Sequence, residues 1–356
     1  YAFVGNNSRR FYVYYPELDS WVSKCSIPFG YYDGRIRKKG VRKGASLAFG
    51  EDSLGREVIY ALKGNNTTEF WKYDIATDNW NQLSDIRIGN QIYKIKPGSC
   101  ISYTPCDSKY VFLLVGSSRN CDFLVYNITT GYWKNKGNVP DSNQFKEGSC
   151  MVAVRDSVFI LKGGGKTNAF YLYDIKNDTW YLRESLPTVH PQVGKSKKVK
   201  AGASLAYNSF NNKLYAFKGG KTQEFWEYDI SLNEWRALDT IPKANSAIYY
   251  GGCLACYKGR VYALKGNGTK EFWCYAPQTS FSGNSLLNKR YLINPNKLSL
   301  DFQKGTVKIY SADGRLIKFL DDKTNMIEST LPAGVYFILR TNLHNRFNRS
   351  KFVKVN

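Results

Sequence analysis

Three aspartates close the same short run in this chain: Asp74 after FWKY, Asp174 after FYLY and Asp229 after FWEY. A carboxylate recurring at fixed spacing is a candidate for acid–base chemistry. Four residues further on stand Asp78, Asp178 and Asn233, with Gly131 at the matching place of another copy. Asp, Asn and Gly share one property there, tolerance of left-handed turn geometry. Asn127 and Tyr15 replace the first aspartate in two copies. The pattern therefore predicts turns, not catalytic acids.

A second recurrence is lysine before glycine. Lys63, Lys218 and Lys265 each precede a glutamate by six residues, at Glu69, Glu224 and Glu271. In a hairpin that spacing puts the two charges opposite each other, so cross-strand ion pairs are expected. Lys162 breaks the pattern, because Ala169 follows Asn168 where the glutamate would sit.

The remaining charge is concentrated in loops. Arg35, Arg37, Lys38, Lys39, Arg42 and Lys43 lie in RIRKKGVRKG, and Lys94 and Lys96 in KIKPG. Lys195, Lys197, Lys198 and Lys200 lie in KSKKVKAG, and Lys146 occupies the matching loop of another copy. These loops are the candidate surface for an anion, a glycan or a protein partner. No catalytic, cofactor-binding or metal-binding residue is expected. Cys253 and Cys256 are close, but no second pair or nearby histidine completes a metal site. Neither a nucleophile elbow nor a phosphate loop occurs. The chain reads as a non-enzyme that needs no cofactor.

The elements that carry these residues are strands. KLYAFKGGKTQEFWEYDISLNEW, from Lys213 to Trp235, reads as two strands, a glycine break and a turn into a third. Lys63 to Trp80, Lys162 to Trp180 and Lys265 to Tyr275 are copies. Weaker copies run from Val4 to Trp21 and from Val115 to Trp133. Six repeats result, at about 1–30, 41–86, 96–140, 146–187, 199–242 and 248–276. Full repeats open on a small-residue strand, such as GASLAF from Gly44 or GGCLACY from Gly251. Small side chains suit an innermost strand, where repeats converge on an axis. Cys100, Cys150 and Cys253 share one position of that strand with Ser46 and Ser204, which predicts small buried residues. Cys106 with Cys121, and Cys256 with Cys274, each fall within one repeat and are candidate disulfides in an oxidising compartment. Repeat one lacks its small-residue strand, and repeat six lacks its tryptophan strand. Residues 278–293, or a strand from a neighbouring molecule, are candidates to complete the ring.

The pattern resembles the kelch-type repeat of β-propellers. The resemblance rests on Gly163–Gly164 and Gly219–Gly220, on Tyr73, Tyr126, Tyr173 and Tyr228, and on Trp80, Trp133, Trp180 and Trp235. It covers about residues 1–276 and implies a six-bladed propeller, with the propeller domain placed at residues 1–280. Gly64–Asn65, Gly266–Asn267 and Gly116–Ser117 depart from the glycine doublet. A kelch-type copper-radical oxidase needs histidine ligands, and only His190 and His344 are present.

After about Ser280 the style changes to short alternating runs with a turn signal at Asp313–Gly314. Residues 281–356 read as a small Ig-like β-sandwich. Ile293–Asn296, Val307–Ile317, Leu331–Ile338 and Lys351–Val355 resemble, in that order, the C-terminal sorting domain of bacterial type IX secretion cargo. That resemblance implies export to the outside of the cell and contact with the secretion machinery. The chain opens at Tyr1 within a repeat, so a segment ahead of it was removed or lies outside this sequence.

The whole is an all-β chain of 356 residues with a formal charge of +22. Such a charge favours polyanionic partners; acidic glycan or protein is expected, and nucleic acid is not. No apolar run is long enough for a transmembrane helix. The expected function is a secreted or surface-displayed binding or structural protein. A self-assembling filament or layer subunit, with the terminal sandwich as assembly element, is one alternative, with the chain as its own partner. A carbohydrate-active enzyme with an unrecognised site is the other.

Overall fold

The structure is a computed structural model that describes residues 1–104 and 109–277, and four backbone strands of the tail. The described residues up to 277 form a six-bladed β-propeller. The second blade shows the plan. Ser46–Glu51 lies innermost, followed outward by Glu57–Leu62, Phe70–Asp74 and Asn79–Gln82, all antiparallel. Blades three, four and five repeat this four-stranded order. The innermost strands Ser46–Glu51, Cys100–Thr104, Cys150–Val154, Ser204–Asn208 and Cys253–Tyr257 lie side by side in sequence order. Blade one contains Ala2–Phe3, Phe11–Tyr15 and Ser20–Lys24, so its small-residue strand is absent among the described residues. Blade six contains Cys253–Tyr257, Arg260–Leu264 and Phe272–Tyr275, without a tryptophan strand among the described residues.

Turn chemistry explains where the outer strands fold back. Asp78, Asp178 and Asn233 adopt φ of 52°, 51° and 57°. Asp74 accepts a hydrogen bond from the Thr77 backbone N–H at 3.0 Å, and Asp174 accepts one from Asn177 at 3.0 Å. Tyr73 donates its hydroxyl to Asp78 at 2.6 Å, and Tyr228 donates to Asn233 at 2.7 Å. The recurring acids are thus turn caps.

Blades adhere through aromatic rings of neighbouring sheets. Phe70 meets Trp133 edge-on at 5.0 Å, Phe123 meets Trp180 at 4.9 Å and Phe170 meets Trp235 at 5.1 Å. The same phenylalanines contact the next blade's tyrosine, with Phe70–Tyr126 at 5.0 Å. Tyr14 of blade one and Phe272 of blade six make the equivalent contact at 4.6 Å. Such edge-to-face pairs add to the area each ring buries.

The far end of blade two holds a buried carboxylate. Asp52 receives Arg56 Nε at 3.0 Å, Arg56 Nη2 at 2.7 Å and the Leu54 backbone N–H at 2.9 Å. Burial by itself raises its pKa, but these donors win and hold it at about 2, against an ordinary 3.8. The folded pKa is depressed, so the stabilisation is complete above pH about 4 and is lost as the pH falls toward 2. That difference is worth roughly 2 kcal/mol. Asp52→Asn should therefore flatten the acid limb of a urea-denaturation series over this window. An unchanged limb in the variant counts against the assignment.

The chain divides into two compact units. One holds Tyr1–Val13 and Trp21–Glu271; the other holds Tyr14–Ser20, Phe272–Tyr275 and the tail strands. In the tail, one antiparallel sheet runs in the order Leu316–Leu320, Thr306–Ser311, Gly334–Thr341, Phe347–Lys354. Asp313–Gly314 and residues 278–293 lie outside the described residues. No helix of the described residues is long and apolar enough to cross a membrane.

The expectation of a Cys256–Cys274 disulfide needs correction. Cys256 and Cys274 carry free thiols. Arg260–Leu264 lies between their strands in the sheet. Two strand spacings amount to roughly 9–10 Å, beyond the Cα separation of about 7 Å that a disulfide spans. Cys121 is likewise a free thiol, and its Sγ lies 3.4 Å from the carbonyl of Asn143. Cys106 lies outside the described residues.

Candidate functional site

The basic loops connect one blade to the next, and buried lysines tie them down. Lys63, Lys162, Lys218 and Lys265 are fully buried. Lys63 pairs with Glu69, Lys218 with Glu224, and Lys265 with Glu271 at 2.5 Å. Each ammonium also reaches a carbonyl of the connector. Lys63 donates to Pro28 at 3.0 Å, Lys218 to Thr188 at 3.1 Å and Lys265 to Lys243 at 2.7 Å. Desolvation pushes Lys63 and Lys218 below the ordinary lysine pKa, and the glutamates pull partly against it. Lys162 solves the same problem differently. Its partner is Asp141 at 2.5 Å, from the connector itself, and Asp141 also accepts the Tyr171 hydroxyl at 2.7 Å. Val4 and Val115 stand at the equivalent places in blades one and three.

A backbone clasp then sets the loop against its neighbours. Beyond the second strand the chain takes positive φ at Gly219, Gly220 and Lys221 (68°, 63° and 63°). Departures from the glycine doublet keep this geometry, since Asn65 and Ser117 both sit at φ 54°. The turn aims one N–H at the next connector. Asn66 donates to Ile95 at 2.9 Å, Ser117 to Phe145 at 2.7 Å, Gly165 to Val199 at 2.9 Å and Lys221 to Ile248 at 3.0 Å.

The glycine ending each connector completes the packing. A Cβ on Gly44, Gly98, Gly148 or Gly202 would lie 2.1–2.5 Å from a backbone oxygen of the next connector. Successive connectors therefore touch backbone to backbone around the axis.

The residues just before these glycines face one another. Lys43 of the connector into blade two reaches Glu147, before blade four, at 2.7 Å. It also donates to the Tyr250 hydroxyl, before blade six, at 3.2 Å. Tyr250 donates to the other oxygen of Glu147 at 2.8 Å. Three alternate blades thus meet over the mouth of the channel. The Lys43 ammonium lies 4.4 Å from the Tyr250 ring centre, and Tyr249 and Tyr250 are 4.2 Å apart. Lys221 lies 5.2 Å from the Tyr249 ring. Hydrogen bonding to Glu147 raises the Lys43 pKa, so this ammonium stays charged. The Tyr250 pKa is raised as well, through its bonds to Tyr249 and Glu147.

The structure sorts the basic residues into two sets. Arg42, Lys43, Lys96, Lys146 and Lys200 sit at or next to the connector ends, and all are exposed. Lys198 joins them, with its ammonium on the Lys166 carbonyl at 2.6 Å. Lys39 is drawn down onto the carbonyl of Asn65 at 3.2 Å. The others are peripheral. Arg35 and Arg37 belong to a hairpin, Gly30–Tyr32 with Arg35–Arg37, that leads into exposed Lys38. Tyr31 pins this hairpin to Gln82 of blade two's outer strand, through bonds of 2.8 and 2.7 Å. Lys94 follows a second hairpin of Arg87–Ile88 with Gln91–Ile92. Lys195 and Lys197 flank a third excursion, where Gln192 is held by Asp239 at 3.0 Å.

Glu147, Tyr249, Tyr250, Lys166 and Lys221 had no place in the basic-loop motifs. One signal was available: Glu147 and Tyr250 occupy Lys43's column, directly before the connector glycine. His190 is a buried structural residue, with Nε2 on the Leu238 carbonyl at 2.9 Å and Nδ1 accepting the Gln192 N–H at 3.2 Å. Among the described residues no group of three metal-ligating side chains forms.

No family model matches this chain, and no curated protein matches it. Among solved structures it is similar to that of YjhT, at 12% identity and a TM-score of 0.49. That match covers 92% of this chain and 98% of the other.

Proposed function

We propose that this propeller is a non-catalytic binding protein of the bacterial cell exterior, and that its connector face takes an acidic glycan. The observation that carries the reading is that Arg42, Lys96, Lys146 and Lys200 all lie exposed at the connector ends, with no carboxylate bonded to any of their side chains among the described residues. A cluster of one sign beside low-dielectric walls raises the local concentration of an oppositely charged ligand. The kelch-like turns support a scaffold that presents loops. The tail's resemblance to type IX sorting domains supports export, with its strands as part of an Ig-like sandwich. Polygalacturonate binding to the full chain tests the reading. It should weaken steeply with salt, because exposed charges are screened within a Debye length. Replacing Arg42, Lys96, Lys146 and Lys200 together with alanine should cost on the order of tenfold or more in affinity. Equal binding by this variant, or no binding by the parent chain, counts against the proposal.

A further inference from the structure

Among the described residues Glu147 is the one carboxylate bonded to the mouth cluster, and its partners come from other blades. Lys43 and Tyr250 present two donors converging on its two oxygens, at 2.7 and 2.8 Å. Those donors are held by separate connectors, so the arrangement does not depend on Glu147's own loop. A carboxylate carried by a ligand needs the same two donors. We propose that Lys43 and Tyr250 form a carboxylate subsite for a uronate of an acidic glycan, and that Glu147 occupies it in the unliganded protein. The inference rests on the proposed glycan-binding role and gives it a specific contact.

The geometry favours a sugar acid over a peptide carboxylate. Tyr249 and Tyr250 pack at 4.2 Å beside the donors, and Tyr250 is 38% exposed. A tyrosine pair offers an apolar surface for the C–H face of a pyranose ring, next to the charge. Glu147 is itself part-exposed, with a third of its side chain accessible, so it can leave the donors for water. A ligand that must displace it loses affinity by the fraction of molecules with the subsite open.

The test is calorimetry on the full chain with trigalacturonate, polyphosphate of similar charge and an acidic peptide as probes. Removing the internal competitor with Glu147→Ala should tighten trigalacturonate binding by about fivefold or more, by the same population argument. The gain should exceed any gain for polyphosphate, which reads only the change in net charge. Tyr250→Phe in the Glu147→Ala background should reverse most of the gain, since it removes one donor without altering charge. Equal gains for all three probes would sink the subsite but leave the basic-face reading intact. A larger gain for the peptide would overturn the sugar assignment. Weaker or unchanged trigalacturonate binding by Glu147→Ala would overturn the proposal. Failure of every probe to bind the parent chain would remove the underlying reading with it.

Discussion

Replacing Lys218 with methionine should destabilise the propeller by roughly 3–5 kcal/mol, the usual cost of leaving a buried charge without its partner. Glu224 is completely buried. One of its oxygens accepts the Trp226 indole N–H at 3.1 Å and pairs with Lys218, while the other has no hydrogen-bond partner among the described residues. Without the ammonium, one indole donor remains for a full charge in a dry site. The double variant Lys218→Met, Glu224→Gln should recover most of the loss, because a neutral pair no longer pays for charge desolvation. The same lysine holds the Thr188 carbonyl, so the single variant should also loosen the connector that carries Lys198 and Lys200. Urea midpoints for the parent, single and double variants measure the first effect. Amide exchange over residues 188–200 measures the second. A single variant within 1 kcal/mol of the parent, on the scale of an ordinary surface change, would rule out a central role for the pair.

Gly148→Ala should cost a comparable amount for a different reason. Its φ is 91°, where a side chain already costs about 1–2 kcal/mol. The added Cβ would also lie 2.1 Å from the Lys200 carbonyl oxygen, a backbone atom of the next connector. Two blades must separate to admit it, and the combined expectation is about 3–5 kcal/mol. Gly251→Ala supplies the control. Its φ is similar at 82°, but the nearest atom to its Cβ is 3.7 Å away. It should show the backbone cost alone. Equal losses for the two variants, measured by denaturant unfolding, would mean that the blade-to-blade contact contributes nothing.

Local chemistry made much of the propeller legible in the sequence. The turn aspartates could be assigned because Asp78, Asp178, Asn233 and Gly131 share only tolerance of positive φ. The lysine–glutamate pairs were legible because both partners lie in one hairpin. Lys162 was not, because Asp141 comes from a connector and its spacing carries no periodic signal. The pairing of Cys256 with Cys274 misled because membership of one repeat does not specify neighbouring strands. The mouth cluster was the hardest feature to foresee. Lys43, Glu147 and Tyr250 are far apart in sequence and differ in chemical type, and only closure around an axis brings them together.

The contact between Tyr14 and Phe272 makes the propeller a closed loop in the polymer sense. Ring closure on that scale has an entropy that grows only with the logarithm of the enclosed length. By that law it costs roughly 5 kcal/mol, against about 3.5 kcal/mol for joining two blades some 50 residues apart. The seam is therefore only slightly dearer than any other joint, and aromatic contact of the kind used between every pair of blades is enough to offset the difference. Where the covalent break falls in such a circle matters little to its equilibrium stability. Its main effect is on kinetics, since this joint has the longest stretch of chain to gather before it can form.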